Sequence, residues 1–235
     1  MRMIVFKKLI PITDTTVENL SQPFLETIQC HALLWSLGIR HGDISVTNLM
    51  VDPESRKGIL NDFDLTKVVN TFDARSLRGN DRVGTMVFMA LDLLKEKGLP
   101  GRIARLYRHD LESFCWVFLW ICYCYENGKV TLRFPFKDWI STTPRSCRRA
   151  RLDVTSDLDE VDTGPSKSYA GYEDLLPDVV EYWVSFHVNM KATFKEPDEI
   201  QVLRSVLGVL PRSPEVEMQW AYTYTHICPT SRNSE

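Results

Sequence analysis

The 235-residue chain is 44% hydrophobic and 25% charged, which suits one globular core and excludes a disordered chain. Its net charge of −3 gives no global attraction to nucleic acid or to an anionic membrane, so neither is expected as a partner. Six cysteines show no C-x-x-C spacing, and three of them (Cys115, Cys122, Cys124) share one apolar run where thiols act as small hydrophobes.

That cysteine usage predicts a reducing intracellular setting, cytoplasmic or nuclear. In chain order, Ile4-Val5-Phe6 predicts a short strand ended by Pro11. Lys7 and Lys8 follow so short an apolar run that it is not a signal peptide. A helix comes next, with Ser21 as its N-cap, Phe24, Leu25, Ile28, Ala32 and Trp35 on one face, and Gly38 as the C′ glycine. Beyond it lie His41-Gly42-Asp43 and Asn48. Apolar Leu49-Met50-Val51, a polar turn from Asp52 to Gly58, and apolar Ile59-Leu60 then predict a hairpin. The hairpin returns the chain on itself, so Asp62-Phe63-Asp64 comes back toward Asp43 and Asn48. One carboxylate to orient an attacking hydroxyl, with a carboxylate and an amide oxygen to hold Mg²⁺ on nucleotide phosphates, is the residue set of a phosphoryl-transfer site.

From Thr66 to Arg82 the composition is polar and basic, with Arg75, Arg78 and Arg82 among Thr71, Ser76 and Asp81, and predicts a solvated loop. Gly84-Thr85-Met86-Val87-Phe88-Met89-Ala90-Leu91-Asp92 follows. Then Tyr107-Arg108-His109-Asp110-Leu111-Glu112-Ser113 leads into Phe114 to Cys122, apolar on nearly every face, which predicts a helix buried all round. The run through Tyr125 is too short to cross a bilayer. Asp110, near the helix start, is expected to satisfy free N–H groups there. Thr131 to Trp139 mixes strand and turn character. Residues 141–171 hold Arg145, Arg148, Arg149 and Arg151, then Asp153, Asp157, Asp159, Glu160 and Asp162, and read as a surface loop of low order. Helical spacing returns at Val179, Tyr182, Trp183, Phe186 and Met190, and again from Ile200 to Leu207, with Pro211 ending it. Residues 214–235 form a tail with no structural signal.

The two clusters resemble the catalytic and metal-binding loops of protein kinases, H-x-D-x-x-x-x-N followed by D-F-G. The sequence departs from that pattern at Gly42 in place of Arg, Ser45 where many kinases have Lys, and Asp64 in place of Gly. Ile44-Ser45 and Phe63-Asp64 look most like the fungal-type protein kinase-like family. H-G-D also resembles small-molecule kinases of the aminoglycoside-phosphotransferase type, but these lack the combined G-T-x-x-F-M-A and R-H-D-L-E-S-F signatures. Asp92 takes the place of the Glu that closes the first of these, one methylene shorter, which predicts a weakened or absent ion pair.

The resemblance implies a mainly α fold with short β-hairpins, a protein kinase-like C-terminal lobe over residues 1–213 with the small N-terminal lobe missing. Only about forty residues precede His41, and none forms a G-x-G-x-x-G loop. It further implies ATP and Mg²⁺ as cofactors and a protein as substrate. Asp43 is then the catalytic base, with Ser45 and Thr85 beside it. Asn48 and Asp62 bind the cofactor and its metal, while His41 and Asp110 give structural support, Asp110 by holding the backbone of the catalytic loop. A partner that supplies the small lobe, or self-association, is expected. A non-catalytic protein-binding module and a small-molecule phosphotransferase stay open as alternatives.

Overall fold

Apolar spacing from Leu20 to Trp35 builds helix α1 (Val17–Ser36) in the computed structural model. The structure describes residues 8–15, 17–68, 84–95, 105–131, 135–140, 143–156, 164–177 and 179–180. The expected strand at Ile4-Val5-Phe6, most of the polar loop after Thr66, the helical spacings beyond Val180 and the tail 214–235 lie outside these residues. Helix α1 begins a full turn ahead of the expected cap Ser21 and runs through Pro23. At its other end Gly38 takes φ +78 and its N–H reaches the Trp35 carbonyl at 3.0 Å, the left-handed stop that a C′ glycine supplies.

Among the described residues the first strand is β1 (Ile10–Pro11), which contains Pro11 itself. It lies at the edge of a three-stranded antiparallel sheet with β3 (Leu49–Val51) and β4 (Gly58–Leu60), where a missing N–H costs no ladder bond. Between them β2 (Ile39–Arg40) pairs with β5 (Lys67–Val68), and further on β6 (Tyr125–Glu126) pairs with β7 (Lys129–Val130). The hairpin docks on α1 with almost no clearance. A Cβ at Gly58 would lie 1.9 Å from the Pro23 carbonyl oxygen, and the Gly58 N–H donates to Glu26 Oε2 at 2.7 Å.

Helix α2 (Tyr107–Cys124) is the axis of the core: every residue in it except Arg108 is buried. Phe114 and Phe118 meet Phe24 of α1 at ring distances of 5.9 and 5.2 Å, and Trp116 meets Trp139 edge-on at 5.4 Å. A buried aromatic truncated here would cost about 3–5 kcal/mol. Burial pushes the Cys115 and Cys124 thiols up to about 12, so neither is a nucleophile near neutral pH. Among the described residues no helix is long and apolar enough to cross a membrane.

One expectation fails clearly. Where composition predicts a loop of low order, residues Pro144–Ser156 form helix α3, and Lys167–Tyr172 form a 3-10 turn. The reason is a buried face that the charge density hides. Cys147 and Arg151 are fully buried, with Arg151 over the Trp116 ring at 4.8 Å, and Tyr169 is buried with its hydroxyl donating to the Thr13 carbonyl at 3.2 Å. An arginine stem can cover apolar surface as well as a leucine can.

Candidate active site

The hairpin is in the register that the apolar runs dictate, Leu49 opposite Leu60, Met50 opposite Ile59 and Val51 opposite Gly58. Its turn is held by the Asp52 carboxylate, which accepts the Glu54 N–H at 2.9 Å. Past the strand ends the ladder gains one more rung, the Asn61 N–H donating to the Asn48 carbonyl at 2.8 Å. Asn48 therefore stands across from Asn61, and Asp62 follows at once. Asp62 adopts φ +62, a left-handed conformation that Asp tolerates better than most residues but that still stores strain. It is exposed, and its Oδ1 accepts the Asp64 N–H at 3.3 Å. This bond gives Asp64, the departure from D-F-G, a backbone role that needs no glycine.

His41 straps the two loops together. Its Nε2 donates to the Asn61 carbonyl at 2.9 Å, while Nδ1 accepts the Asp43 N–H at 3.3 Å, and Phe63 packs edge-on at 4.9 Å. Both bonds need the neutral tautomer protonated on Nε2. Burial lowers the His41 pKa, with the Asn61 bond opposing it in part, which keeps the ring neutral.

Asp43 is half-buried. Its Oδ1 accepts both the Thr85 N–H at 2.7 Å and the Thr85 hydroxyl at 2.9 Å. Asn48 Nδ2 donates to the Asp43 carbonyl at 2.9 Å and to Oδ2 at 3.3 Å. Two residues from separate stretches, Asn48 and Thr85, thus converge on one carboxylate. Gly42 takes φ +90, with the Leu65 carbonyl 3.2 Å from where a Cβ would sit, and a Cβ at Gly84 (φ +125) would press within 2.8 Å of the Gly42 carbonyl. A side chain at either position would push the loops apart. Ser45, placed with the catalytic residues by resemblance, is 1% exposed and shares a 3.0 Å hydrogen bond with the Thr47 hydroxyl. Thr47 in turn donates to Asn48 Oδ1 at 3.4 Å.

Asp110 is fully buried one turn inside α2, and it does not cap the helix. The N-cap is Leu106, and His109 three residues on reaches back to it, its Nδ1 accepting the Leu106 N–H at 3.1 Å. Among the described residues the Asp110 oxygens accept from Arg105 (Nη2 at 2.6 Å) and His31 (Nε2 at 2.9 Å), not from the backbone of residues 41–43. Burial alone would raise this carboxyl, but the Arg105 charge and the His31 bond hold it well below the usual carboxylate range. Its link to the catalytic loop is indirect, through the field it exerts with His31 on His41. Asp92, expected to lose its ion pair, keeps one: Arg108 Nη1 reaches Asp92 Oδ2 at 3.1 Å, and Lys95 joins it.

Sequence reasoning missed His31, Arg105 and Glu112. Arg105 offered a signal, a cation just ahead of a buried carboxylate, but no spacing links His31 to Asp110 across 79 positions. Among the described residues no three carboxylate, imidazole or thiolate groups converge as a metal cage.

The helix, the H-G-D loop, the returning hairpin, the Thr85 segment and most of α2 fall within one stretch. A profile of the fungal protein kinase family matches residues 2–122. No curated protein matches the chain. With more than half of the 235 residues covered, and the Asp43, Asn48 and Thr85 side chains brought together inside that half, the chain belongs to the fungal protein kinase family.

Proposed function

We propose that the chain forms the larger, catalytic lobe of a Ser/Thr protein kinase that transfers the ATP γ-phosphoryl group to a protein hydroxyl. One observation carries the reading. Among the described residues, Asp43 Oδ1 is filled by two donors from Thr85, whereas Oδ2 meets only the 3.3 Å bond from Asn48. Oδ2 is then the oxygen that takes the proton of the incoming Ser or Thr hydroxyl. The new bond forms between that hydroxyl oxygen and the γ-phosphorus as the bond to the β–γ bridging oxygen breaks, and ADP leaves. Thr85 fixes the carboxylate plane, which makes the geometry ready before substrate arrives.

The residues fit Mg²⁺, which takes one or two carboxylates and keeps waters and phosphate oxygens. Asp62 is exposed, and Asn48 uses its amide nitrogen on Asp43, which leaves Oδ1 as its acceptor end. These two would hold the ion, and its chemistry there is neutralisation of phosphate charge. Ser45 acts as a positioning residue through Thr47 and Asn48.

Phosphoryl transfer of this kind also uses a phosphate-covering loop and a strand lysine, which the small lobe of a kinase supplies. Phe63, Leu65 and Val68, 43%, 45% and 74% exposed beside the site, are the surface such a lobe would cover. The test is a fusion of a small lobe from a related full-length kinase to this chain. It should phosphorylate Ser or Thr with ATP and Mg²⁺, and Asp43→Asn and Asp62→Asn should each abolish the activity. A fusion that folds and binds ATP yet stays silent would instead make the chain a protein-binding module.

A further inference from the structure

The segment 84–92 is anchored at both ends by carboxylates, and only one of them belongs to the site. Asp43 holds the Thr85 end. At the other end Glu112, 1% exposed on α2, accepts the Leu91 N–H on Oε1 at 2.6 Å and the Trp116 indole N–H on the same atom at 3.0 Å. The middle of the segment rests on α3, where Cys147 packs with Met89 and Leu94 and its thiol points at the Met86 carbonyl at 3.7 Å.

Arg151 completes this brace. It is fully buried over Trp116 beside the Cys147 thiol, and among the described residues no carboxylate touches it. A buried guanidinium without a contact ion pair needs a nearby opposite charge. Glu112 is a carboxylate acting on it, and Arg151 acts back on Glu112.

We infer that Glu112 is a positioning residue for the substrate-facing segment 84–92, the acceptor that fixes its Leu91 end, with Arg151 as a buried cation packed on the same Trp116. The inference rests on the kinase reading for the words "substrate-facing", but the clamp itself does not. The groups acting on Glu112 are Arg151 from α3, Asp92 from the segment and Trp116 on its own helix, with the Cys115 thiol beside it. Burial, opposed by Arg151, pushes Glu112 up to about 7, so its ionisation falls in a range where it can be followed.

Two measurements on the full chain test the clamp. In wild type the Leu91 amide and the Trp116 indole N–H resonances should titrate together with one midpoint, because they share Oε1. Glu112→Gln should remove that midpoint while keeping both bonds, and Arg151→Met should move it upward. Glu112→Leu should speed Leu91 amide exchange by at least about tenfold while amides 114–122 stay protected. In the completed kinase, Glu112→Leu should raise the KM for a peptide about tenfold or more with kcat changed less than about threefold, and Glu112→Gln should restore it. Separate midpoints, or none, for the two N–H groups overturn the inference even if Glu112→Leu fails to fold. So does an unchanged peptide KM. A shared midpoint and faster exchange alongside an inert fusion leave the clamp standing and remove the kinase reading.

Discussion

The hairpin end and the first turns of α2 each carry two carboxylates, and the chain treats them in opposite ways. Asp62 is exposed and Asp43 half-buried, and their hydrogen bonds come from neutral loop groups. Asp110 and Glu112 are out of contact with water, at 0% and 1% exposure. A hydrated carboxylate can wait for a ligand. A buried one has to be satisfied by the fold itself. The buried pair then divides again: Asp110 touches the Arg105 cation and is pushed down, whereas Glu112 touches only neutral donors and is pushed up.

The largest effect expected from this contrast is at Asp110. Asp110→Ala removes the buried carboxylate that Arg105 (8% side-chain exposure) and His31 (0%) share, and should cost about 3–5 kcal/mol in a urea unfolding series. A cost under about 1 kcal/mol would break the comparison at its buried end.

Glu112 gives the next largest effect, and the sign follows from the direction of its shift. Its folded pKa of about 7 stands above the ordinary 4.5, so between those values the folded protein keeps a proton that the unfolded chain has released. Stability from this group is present below the lower value and is lost as pH rises through the upper one, by on the order of 3 kcal/mol. Asp110 runs the other way and loses its contribution only in strong acid. Unfolding free energies measured from about pH 5 to 8 should decline in wild type and stay flatter in Glu112→Gln. Equal slopes would show that Glu112 ionises as freely as an exposed carboxylate.

Gly84→Ala tests the exposed end through backbone clearance. A methyl 2.8 Å from the Gly42 carbonyl at φ +125 should cost about 1–3 kcal/mol and loosen the Thr85 bonds to Asp43. Gly42→Ala, with its nearest atom at 3.2 Å, should be milder. The smallest effect sharpens the comparison most. Asp62→Gly removes a carboxylate and relieves a left-handed φ, so stability should stay within about 0.5 kcal/mol while the completed kinase loses activity.

The site was legible in the sequence because its residues are bunched: Asp43, Asn48 and Asp62 lie on one loop and one hairpin whose apolar register is plain in Leu49-Met50-Val51 and Ile59-Leu60. The core axis was equally plain in the unbroken apolar run of α2. The brace around it was not. His31 and Arg151 act through contacts that span long stretches of chain, and a charged side chain that ends up buried looks in sequence like one that ends up in water. The helix α3 was hidden for that reason, since its four arginines and Asp153 conceal the one face that packs.

The missing clearance between Gly58 and Pro23 also bears on the order of assembly. The two positions are about thirty-five residues apart, so bringing them together closes a modest loop at modest entropic cost. Asp43 and Asn48 lie inside that loop. Once β4 seats on α1, both are delivered to their places before α2 or α3 need arrive, and Thr85 and Asp110 join by later, longer-range encounters. The Asp43–Asn48 half of the site is then an early product of folding and the brace a late one. Gly58→Ala should slow refolding with little change in the unfolding rate, whereas Arg151→Met should quicken unfolding and leave refolding almost untouched.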